Sequence, residues 1–124
     1  EIRRLPKAQF GSADAISPWD EQLFVCDGGS GRLCGVISVS ARPWTEGSDA
    51  QPVAHVEAWF VDRRARRQGI GARLMRAAEH WACLNGLTEI CSDAEVGNQA
   101  SLAAHQQLGF EPTLRLQYFR KSLG

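Results

Sequence analysis

The chain has 124 residues, a length that suits one domain spanning 1–124 with a single hydrophobic core and that is small for an enzyme. Its 14 basic and 14 acidic residues balance, so the net charge argues against a nucleic-acid or membrane-surface partner. The 4 cysteines and 3 histidines are dispersed, without the spacing of a metal site or the density of a secreted disulfide scaffold. We therefore expect free thiols, no metal, and a cytoplasmic protein that does not enter the membrane.

The first half of the chain predicts a series of antiparallel strands. Short apolar segments alternate with turn-forming residues, and Asp27-Gly28-Gly29-Ser30-Gly31-Arg32 is a plain hairpin signal. A polar loop at 43–52 precedes the longest strand. The predicted strands cover 1–5, 23–26, 33–40 and 53–61, and the stretch 6–21 carries only weak helix signals.

The second half predicts helices that alternate with strands. Apolar residues recur at helical spacing from Ile70 to Trp81, and Asn85-Gly86 supplies a left-handed stop, so we expect an amphipathic helix there. A buried strand at 87–92, a helix from 98 to 108 and an alternating strand at 114–121 follow. The fold class is therefore α/β (α+β), with a mixed central sheet and flanking helices.

The junction between the strand 53–61 and the first helix carries the most informative motif. Gly69 and Gly71 have no Cβ, so an anion can approach the main chain there, and the first N–H groups of a helix lack intrahelical acceptors. Arginines at positions 63, 64, 66 and 67 add positive charge that can pair with a phosphate. The junction therefore predicts a phosphate site.

Three other interpretations of this segment fit the residues less well. A P-loop requires Lys-Ser/Thr after its last glycine, where Ala72-Arg73 stands. A dinucleotide-binding fingerprint requires a third glycine where Leu74 stands, although Glu89 lies 20 residues beyond Gly69. A bunch of arginines by itself is usually a solvated helix face. The position of these arginines around two glycines, after a strand, favours the phosphate site.

Two motifs of the chain follow the pattern of one enzyme family. The segment Arg66-Arg67-Gln68-Gly69-Ile70-Gly71 matches Arg/Gln-x-x-Gly-x-Gly/Ala, and downstream Asn98 opens a helix that ends in Gly109-Phe110. With these motifs in this order, the chain resembles the GNAT-type N-acetyltransferases over roughly residues 23 to 121. The resemblance implies the GNAT acyl-CoA-binding fold.

A narrower resemblance rests on four further features. Within the family, Val-Glu-Ala-Trp-Phe-Val at 56–61, Cys-Ser-Asp at 91–93, His105 and Tyr-Phe-Arg-Lys at 118–121 are most similar to the aminoglycoside 6′-N-acetyltransferases. The implied cosubstrate is acetyl-CoA, and the implied partner is a small-molecule amine.

The resemblance implies a CoA site on the strand and the loop that follows it. In the family this strand splays from its neighbour, and its exposed main chain pairs with pantetheine as another strand would. Val61 N–H is then the oxyanion donor, and Asn98 binds the arm from the other side, although an Asn at this place is more often a helix N-cap. The implied CoA-binding residues are Trp59, Phe60, Val61, Arg66, Arg67, Gln68, Gly69, Ile70, Gly71, Ala72 and Asn98.

Two carboxylates are candidates for the acceptor pocket. Glu57 is charged in an otherwise apolar strand, and exposure on an edge strand is its alternative explanation. Asp93 follows the strand after the helix, where α/β sheets place ligands, and its alternative role is that of a turn residue. By the resemblance Glu57 binds the acceptor and takes a proton from its ammonium group, directly or through water, because that group must lose one before it attacks. Together Glu57 and Asp93 make a pocket suited to a polycation, and both are candidate catalytic residues.

Two further residues are candidates with competing structural explanations. His105 stands where the family usually has the Tyr that protonates the leaving thiolate, and an imidazole can supply that proton near neutral pH. A histidine on the inner face of a helix is nevertheless more often packed. Trp44, in the loop before the long strand, is a candidate to stack on a sugar ring, whereas lone tryptophans more often pack in a core.

The first hypothesis is an aminoglycoside 6′-N-acetyltransferase in which the amine attacks the thioester of acetyl-CoA directly, a reaction that confers antibiotic resistance. The alternatives are a GNAT enzyme for a polyamine, an amino acid or a protein N-terminus, and a non-catalytic acyl-CoA sensor, which would not need Glu57 or Asp93. The resemblance also implies a homodimer, with Tyr118–Lys121 as a candidate interface. The family normally has one or two acceptor-side helices after the first strand, so the short stretch between about 6 and 22 indicates either that the chain lacks this helical segment or that the given sequence omits it.

Overall fold

The structure is a computed structural model that describes residues 1–5 and 21–124. These residues form two compact units, Glu1–Asp93 and Ala94–Gly124. The first unit holds a sheet and a long helix, and the second holds one shorter helix. The stretch between about 6 and 22, where an acceptor-side helical segment is expected to be missing, lies almost wholly outside the described residues, and the expectation of a single domain stays a prediction.

A five-stranded sheet in the order β1-β2-β3-β4-β5 organises the first unit. The first four strands are antiparallel neighbours, and β5 pairs in parallel with β4, which requires a crossover such as a helix. The elements are β1 (Ile2–Arg4), β2 (Gln22–Asp27), β3 (Leu33–Arg42), β4 (Val53–Val61), α1 (Ile70–Leu84) and β5 (Ile90–Cys91), with 3₁₀ turns at Gly29–Gly31 and Arg63–Ala65. The mixed sheet predicted from the sequence is confirmed.

The core lies between α1 and the sheet, because α1 packs on β1 to β4 and most extensively on β3. Leu74 and Met75 of α1 and Ile37 of β3 are fully buried. The closest approach is at Gly35, where a Cβ would lie 3.0 Å from Leu74 Cδ1 and 3.1 Å from Ile70 Cγ2. Glycine at this point of β3 lets the first turn of α1 settle directly on the sheet, beside the end of β4.

Both predicted helices are confirmed, and their ends follow local signals. Asn85 caps α1 by donating from Nδ2 to the carbonyl of Trp81 at 2.8 Å, and Gly86 follows with φ at +73°. The second helix, α2 (Gln99–Gln107), begins after Asn98, whose Oδ1 accepts from Ser101 N–H at 3.0 Å. Asn98 is therefore the N-cap that its residue type favours.

Two predicted strands differ from the structure. The strand expected at 87–92 is reduced to Ile90–Cys91, because only these residues meet a neighbour in β4. The strand expected at 114–121 is wrong, since 110–124 form no regular element, and Phe119 is 90% exposed. Alternating polar and apolar residues are compatible with a strand, but a strand forms only where a second backbone receives its hydrogen bonds, and no described strand pairs with this segment.

Replacing Gly35 with Ala tests the close contact between α1 and β3. The new methyl group would stand at 3.0 Å from Leu74, so the helix must shift, and we expect the free energy of unfolding to fall by about 1–3 kcal/mol in a urea titration. Gly29→Ala is the matched control, because a Cβ there meets nothing within 4 Å. Equal stability of the two variants would contradict the proposed packing constraint.

Candidate active site

The strand β4 has a neighbour on both sides only near its start. β3 pairs with it over its whole length, from Val53 to Val61, whereas β5 pairs only with Ala54 and His55. Beyond His55, the described residues provide no strand on the β5 side of β4. The two parallel strands therefore part, and one edge of β4 is left open along its second half.

A β-bulge at Glu57 determines which main-chain groups this open edge presents. The register between β3 and β4 slips by one residue there, so Glu57 has no partner in β3. Before the bulge, Ala54 N–H donates to the carbonyl of Glu89, on the β5 side, at 3.1 Å. After the bulge, Asp62 N–H donates to the carbonyl of Cys34, in β3, at 2.7 Å. Main-chain groups alternate sides along a strand, so those of Trp59 and Val61 point to the open edge. No described strand covers this side of Trp59 and Val61.

The N-terminus of α1 is uncapped and follows a group of arginines. Gly69 precedes the helix with φ at +75°, and it provides no side-chain cap; the first turn contains no acidic residue. The N–H groups of Ile70, Gly71 and Ala72 accordingly have no acceptor within the helix. Arg67 has φ at +67°, a conformation that residues other than glycine rarely adopt. The loop conformation and the dipole of α1 favour a bound anion.

Two hydrogen bonds hold this loop to the end of β4. Trp59 donates from Nε1 to the carbonyl of Gly71 at 3.1 Å, so its half-buried ring joins the strand to the first turn of α1. Arg66 donates from Nε to the carbonyl of Val61 at 3.2 Å. The predicted CoA-binding residues from Trp59 to Ala72 therefore form one continuous surface of strand edge, loop and helix start.

Glu57 lies in a charged cluster on the face of the sheet where β3 and β4 run side by side. Its carboxylate accepts from Arg42 Nε at 2.9 Å and Nη2 at 2.6 Å, and from Ser40 Oγ at 2.7 Å. Burial alone would raise the pKa of Glu57, but the hydrogen bonds from Arg42 and Ser40 outweigh it and lower that pKa. Glu57 is thus a firmly ionised carboxylate whose charge Arg42 balances.

His55 connects Glu57 with Asp93. Its Nδ1 lies 3.5 Å from Glu57 Oε1, and its Nε2 lies 3.8 Å from Asp93 Oδ2. His55 is only 7% exposed, whereas the side chain of Asp93 is 80% exposed. Burial and the charge of Arg42 lower the pKa of His55, despite the two carboxylates that raise it. The two predicted acids therefore flank a neutral imidazole, and Asp93 is the carboxylate open to a ligand.

Trp44 and His105 are the remaining predicted site residues, and one is exposed whereas the other is packed. Trp44 is 61% exposed in the loop before β4, so it does not fill the core. His105, in the second unit, has Nδ1 at 2.7 Å from the carbonyl of Ser101, and its ring meets Phe110 edge-on at 5.3 Å. This packed, hydrogen-bonded state is the alternative that the sequence left open for His105. The proposed contacts of Asn98 and His105 with CoA stay predictions.

The sequence alone did not identify Ser40, Arg42 and His55 as neighbours of the predicted acids. The two-residue period of β4 places His55 on the same face as Glu57, and this signal was available in the sequence. Arg42 and Ser40 required the register between β3 and β4, which pairs Ser40 with His55. A cavity of about 470 Å³ lies elsewhere, between the β2–β3 hairpin and the start of α1, and it includes Gln68 and Ile70 but neither predicted acid.

Comparison with known proteins identifies the family. The sequence profile of the Acetyltransferase (GNAT) family matches residues 3–110. The chain belongs to this family. This GNAT chain is also 43% identical, over 116 residues, to the aminoglycoside N(6′)-acetyltransferase type 1 of Klebsiella aerogenes, covering 94% of the chain and 75% of the relative.

Solved structures of aminoglycoside acetyltransferases share the fold of this GNAT chain. The aminoglycoside N-acetyltransferase AAC(6′)-Iy in complex with CoA superimposes with a TM-score of 0.84 at 28% identity, covering 99% of the chain and 100% of that protein. AAC(6′)-Iy in complex with the bisubstrate analogue CoA-S-monomethyl-acetylneamine gives a TM-score of 0.76 at 32% identity, covering 83% and 70%.

The described residues contain neither a helix suited to a membrane nor a side-chain cluster suited to a metal ion. None of the helices in residues 1–5 and 21–124 combines the length and the apolar character needed to cross a membrane. In the same part of the chain, no three His, Cys, Asp or Glu side chains are grouped so that they could hold a metal ion.

Replacing Arg42 with Gln tests whether this guanidinium lowers the pKa of Glu57. A carboxylate with a lowered folded-state pKa contributes stability above its unfolded pKa, and that contribution is lost as the pH falls through the folded value. We expect Arg42→Gln to reduce the free energy of unfolding by about 0.5–1 kcal/mol at neutral pH, and the difference to vanish in acid. Urea titrations across this pH range measure it, with the exposed Arg76→Gln as control. A difference that persists unchanged in acid would refute the assignment.

Proposed function

We propose that this chain is an acetyl-CoA-dependent N-acetyltransferase that acetylates the 6′-amine of aminoglycoside antibiotics. The observation that carries the proposal is 43% identity, across 94% of the chain, to an aminoglycoside N(6′)-acetyltransferase. The open edge of β4, the anion site at α1 and the acidic pair Glu57 and Asp93 supply the parts that this reaction needs. Such acetylation modifies the antibiotic and thereby confers resistance to it.

The CoA arm is proposed to lie along the open edge of β4. Main-chain groups of Trp59 and Val61 point to this edge and pair with the amides of pantetheine. The pyrophosphate binds the N–H groups at the start of α1, where the arginines from Arg66 onward balance its charge. This arrangement brings the thioester beside the second half of β4, near the acidic cluster.

The chemical step is the attack of a neutral amine on the thioester carbonyl. The new C–N bond forms as the carbonyl oxygen gains negative charge, and we assign Val61 N–H as its donor. Collapse of this intermediate breaks the C–S bond, the thiolate of CoA leaves, and the attacking nitrogen loses its extra proton to give the neutral amide. His105 is the proposed source of the proton for that thiolate. The groups that this step requires come from the chain, the acceptor amine and acetyl-CoA, and the proposed step uses no metal.

Charge explains why a polycation suits the acceptor side. Arg42 neutralises Glu57, and His55 is neutral, so Asp93 contributes one unbalanced negative charge to the cluster. Its side chain is largely exposed and can meet an ammonium group directly. Trp44, exposed before β4, provides an aromatic face for a sugar ring. Glu57, Asp93 and Trp44 are therefore the proposed acceptor-binding residues.

Two further proposals concern the setting of the enzyme. We infer a homodimer that uses the C-terminal segment, since Tyr118 and Phe119 are strongly exposed aromatic residues. We also infer a cytoplasmic location, because all four cysteines are free and the cosubstrate is a cytoplasmic metabolite.

Gly71→Asp tests the CoA site. The new Cβ makes ordinary contacts with Trp59, the nearest at 3.5 Å, and an acid in the first turn suits the helix dipole, so the variant should fold. Its carboxylate repels the pyrophosphate, and we expect calorimetry to show CoA binding at least about ten-fold weaker. Gly71→Ala, which adds the Cβ without the charge, is the matched control. Unchanged affinity of the aspartate variant would show that phosphate binds elsewhere.

The position of the acetyl group tests the subclass. A 6′-amine is primary and lies on a flexible methylene, so it reaches the thioester more readily than ring amines when it is held about 3 Å from the carbonyl carbon. We expect mass spectrometry and NMR of the kanamycin product to show a single acetyl group on the 6′ nitrogen. Analogues with a 6′-hydroxyl should bind without turnover. Acetylation of a ring nitrogen would overturn the subclass, and no product with any aminoglycoside would redirect the search to polyamines, amino acids and protein N-termini.

A further inference from the structure

Three hydrogen bonds occupy most of the acceptor positions of the Glu57 carboxylate. Its Oε1 accepts from Ser40 Oγ at 2.7 Å and from Arg42 Nε at 2.9 Å, and its Oε2 accepts from Arg42 Nη2 at 2.6 Å. An ionised carboxylate accepts at about four positions on its two oxygens. One position, on Oε2, is therefore left without a donor from the described part of the chain. The side chain of Glu57 is 29% exposed, so a ligand can reach this carboxylate.

Arg42 holds Glu57 with a planar fork. Its Nε and Nη2 donate to different oxygens of the carboxylate, and two such parallel bonds fix the plane of one group against the other. A lysine at this position would supply the same charge, but as a point charge on a flexible stem. The contact with Arg42 therefore sets the direction in which the free position on Oε2 points, as well as the charge of the cluster.

The main chain at Glu57 does little to orient this carboxylate. The β-bulge leaves Glu57 without a partner in β3, whereas His55, two residues earlier in β4, pairs with Ser40. A bulged residue has no side chain directly opposite it on the neighbouring strand, and bulges commonly re-aim a side chain. The orientation of Glu57 therefore depends on the two side chains that reach it from β3, which are Arg42 and Ser40.

The titratable groups around Glu57 come from β3, β4, β5 and the residue beyond β5. On β4, His55 Nδ1 lies 3.5 Å from Oε1 without a hydrogen bond, and burial and the charge of Arg42 lower the pKa of His55, so it is neutral. On β5, Cys91 pairs with His55, and burial raises the pKa of its thiol. The hydrogen bond to Glu57 and the charges of Glu57 and Asp93 raise the pKa of Arg42, despite its partial burial. Arg42 is thus the cation of this group.

We propose that Arg42 is a positioning residue for acetyl transfer: it holds Glu57 as a charged hydrogen-bond acceptor of fixed orientation, and the free position on Oε2 orients an amino group of the acceptor. The inference rests on the proposed function, because it requires an amine acceptor bound at Glu57. In this role Arg42 acts through Glu57 and needs no contact of its own with the acceptor or with acetyl-CoA.

This role for Glu57 differs from that of a general base. Burial raises the pKa of Glu57, but the hydrogen bonds from Arg42 and Ser40 outweigh it, so the carboxylate is a weak base for an ammonium proton. It can instead bind an amino group through a charge-assisted hydrogen bond, while the attacking amine loses its proton to solvent. Orientation alone has a large effect on rate, because a misplacement of about 1 Å can cost about 100-fold.

Carbon-13 NMR of the free protein tests the geometry without any reaction. With labelled glutamate, the carboxyl signal of Glu57 is the one missing from Glu57→Gln. We expect this signal to titrate at a higher pH in Arg42→Gln, because the burial that raises the pKa of Glu57 remains and the donors of Arg42 are lost. Arg3→Gln is the matched control, since it breaks a similar fork between β1 and β2, with Arg3 Nε at 2.7 Å and Nη2 at 3.1 Å from the Asp27 carboxylate. An unchanged titration of Glu57 in Arg42→Gln would overturn the proposal.

Steady-state kinetics with kanamycin and acetyl-CoA test the positioning role. In Arg42→Gln the carboxylate of Glu57 is free to turn, so we expect kcat at neutral pH to fall by about 10- to 100-fold. The KM for kanamycin should not rise, because removing a cation makes the cluster more attractive to a polycation. Arg42→Lys, which restores the charge without the fork, should have a kcat between those of the wild type and Arg42→Gln. Arg3→Gln should match the wild type in both constants.

The outcomes separate this inference from the proposed function. In Arg42→Gln, an unchanged kcat would overturn the role of Arg42, and a kcat that rises with the pKa of Glu57 would identify Glu57 as the base instead. Wild-type kinetics of Arg42→Lys would show that charge alone suffices, and would overturn the fixed orientation. Absence of acetylated kanamycin with the wild type would overturn the proposed function, and the titration of Glu57 would still decide the geometry. If Arg42→Gln does not fold, Arg42→Lys serves in both measurements.

Discussion

The site depends on the parting of β5 from β4 after His55. Up to that residue β4 is an interior strand, and beyond it the strand keeps β3 as its only described neighbour. An unpaired strand edge is a liability unless something covers it, because its N–H and C=O groups will pair with any extended chain. This edge is the surface proposed above to bind the arm of CoA. The bulge at Glu57 completes it by turning the groups of Trp59 and Val61 toward the opening.

The open edge requires rigid support from its other side. β3 provides the hydrogen bonds, and Gly35 lets α1 pack closely enough to bring its N-terminus beside Val61. The bond from Trp59 to the carbonyl of Gly71 then fixes strand and helix relative to each other. The N-terminus of α1 and the open edge of β4 are therefore held in place by the same packing. A change in the core at Gly35 would displace both.

Charges of opposite sign are separated along β4. The arginines before Gly69 lie beyond its end, at the place proposed above for the phosphates of CoA. The carboxylates Glu57 and Asp93 lie toward its start, around the buried ring of His55. In the proposed function, this separation directs the anionic cosubstrate to one end of β4 and the cationic acceptor to the other. A balanced net charge therefore conceals an arginine-rich region and a cluster with one unbalanced carboxylate.

The sequence by itself determined the features that depend on residues close together in the chain. The extent of β4, the helix α1 after Gly69, the N-cap Asn98 and the candidate acids all followed from local spacing and residue type. Tertiary structure decided what depends on distant segments. Only the register of β3 against β4 placed Arg42 on Glu57 and exposed the bulge, and only the approach of the chain beyond β5 set Asp93 beside His55. The strand expected at 114–121 was wrong for the same reason, because alternation is a local property, whereas a strand exists only where a distant backbone completes its hydrogen bonds.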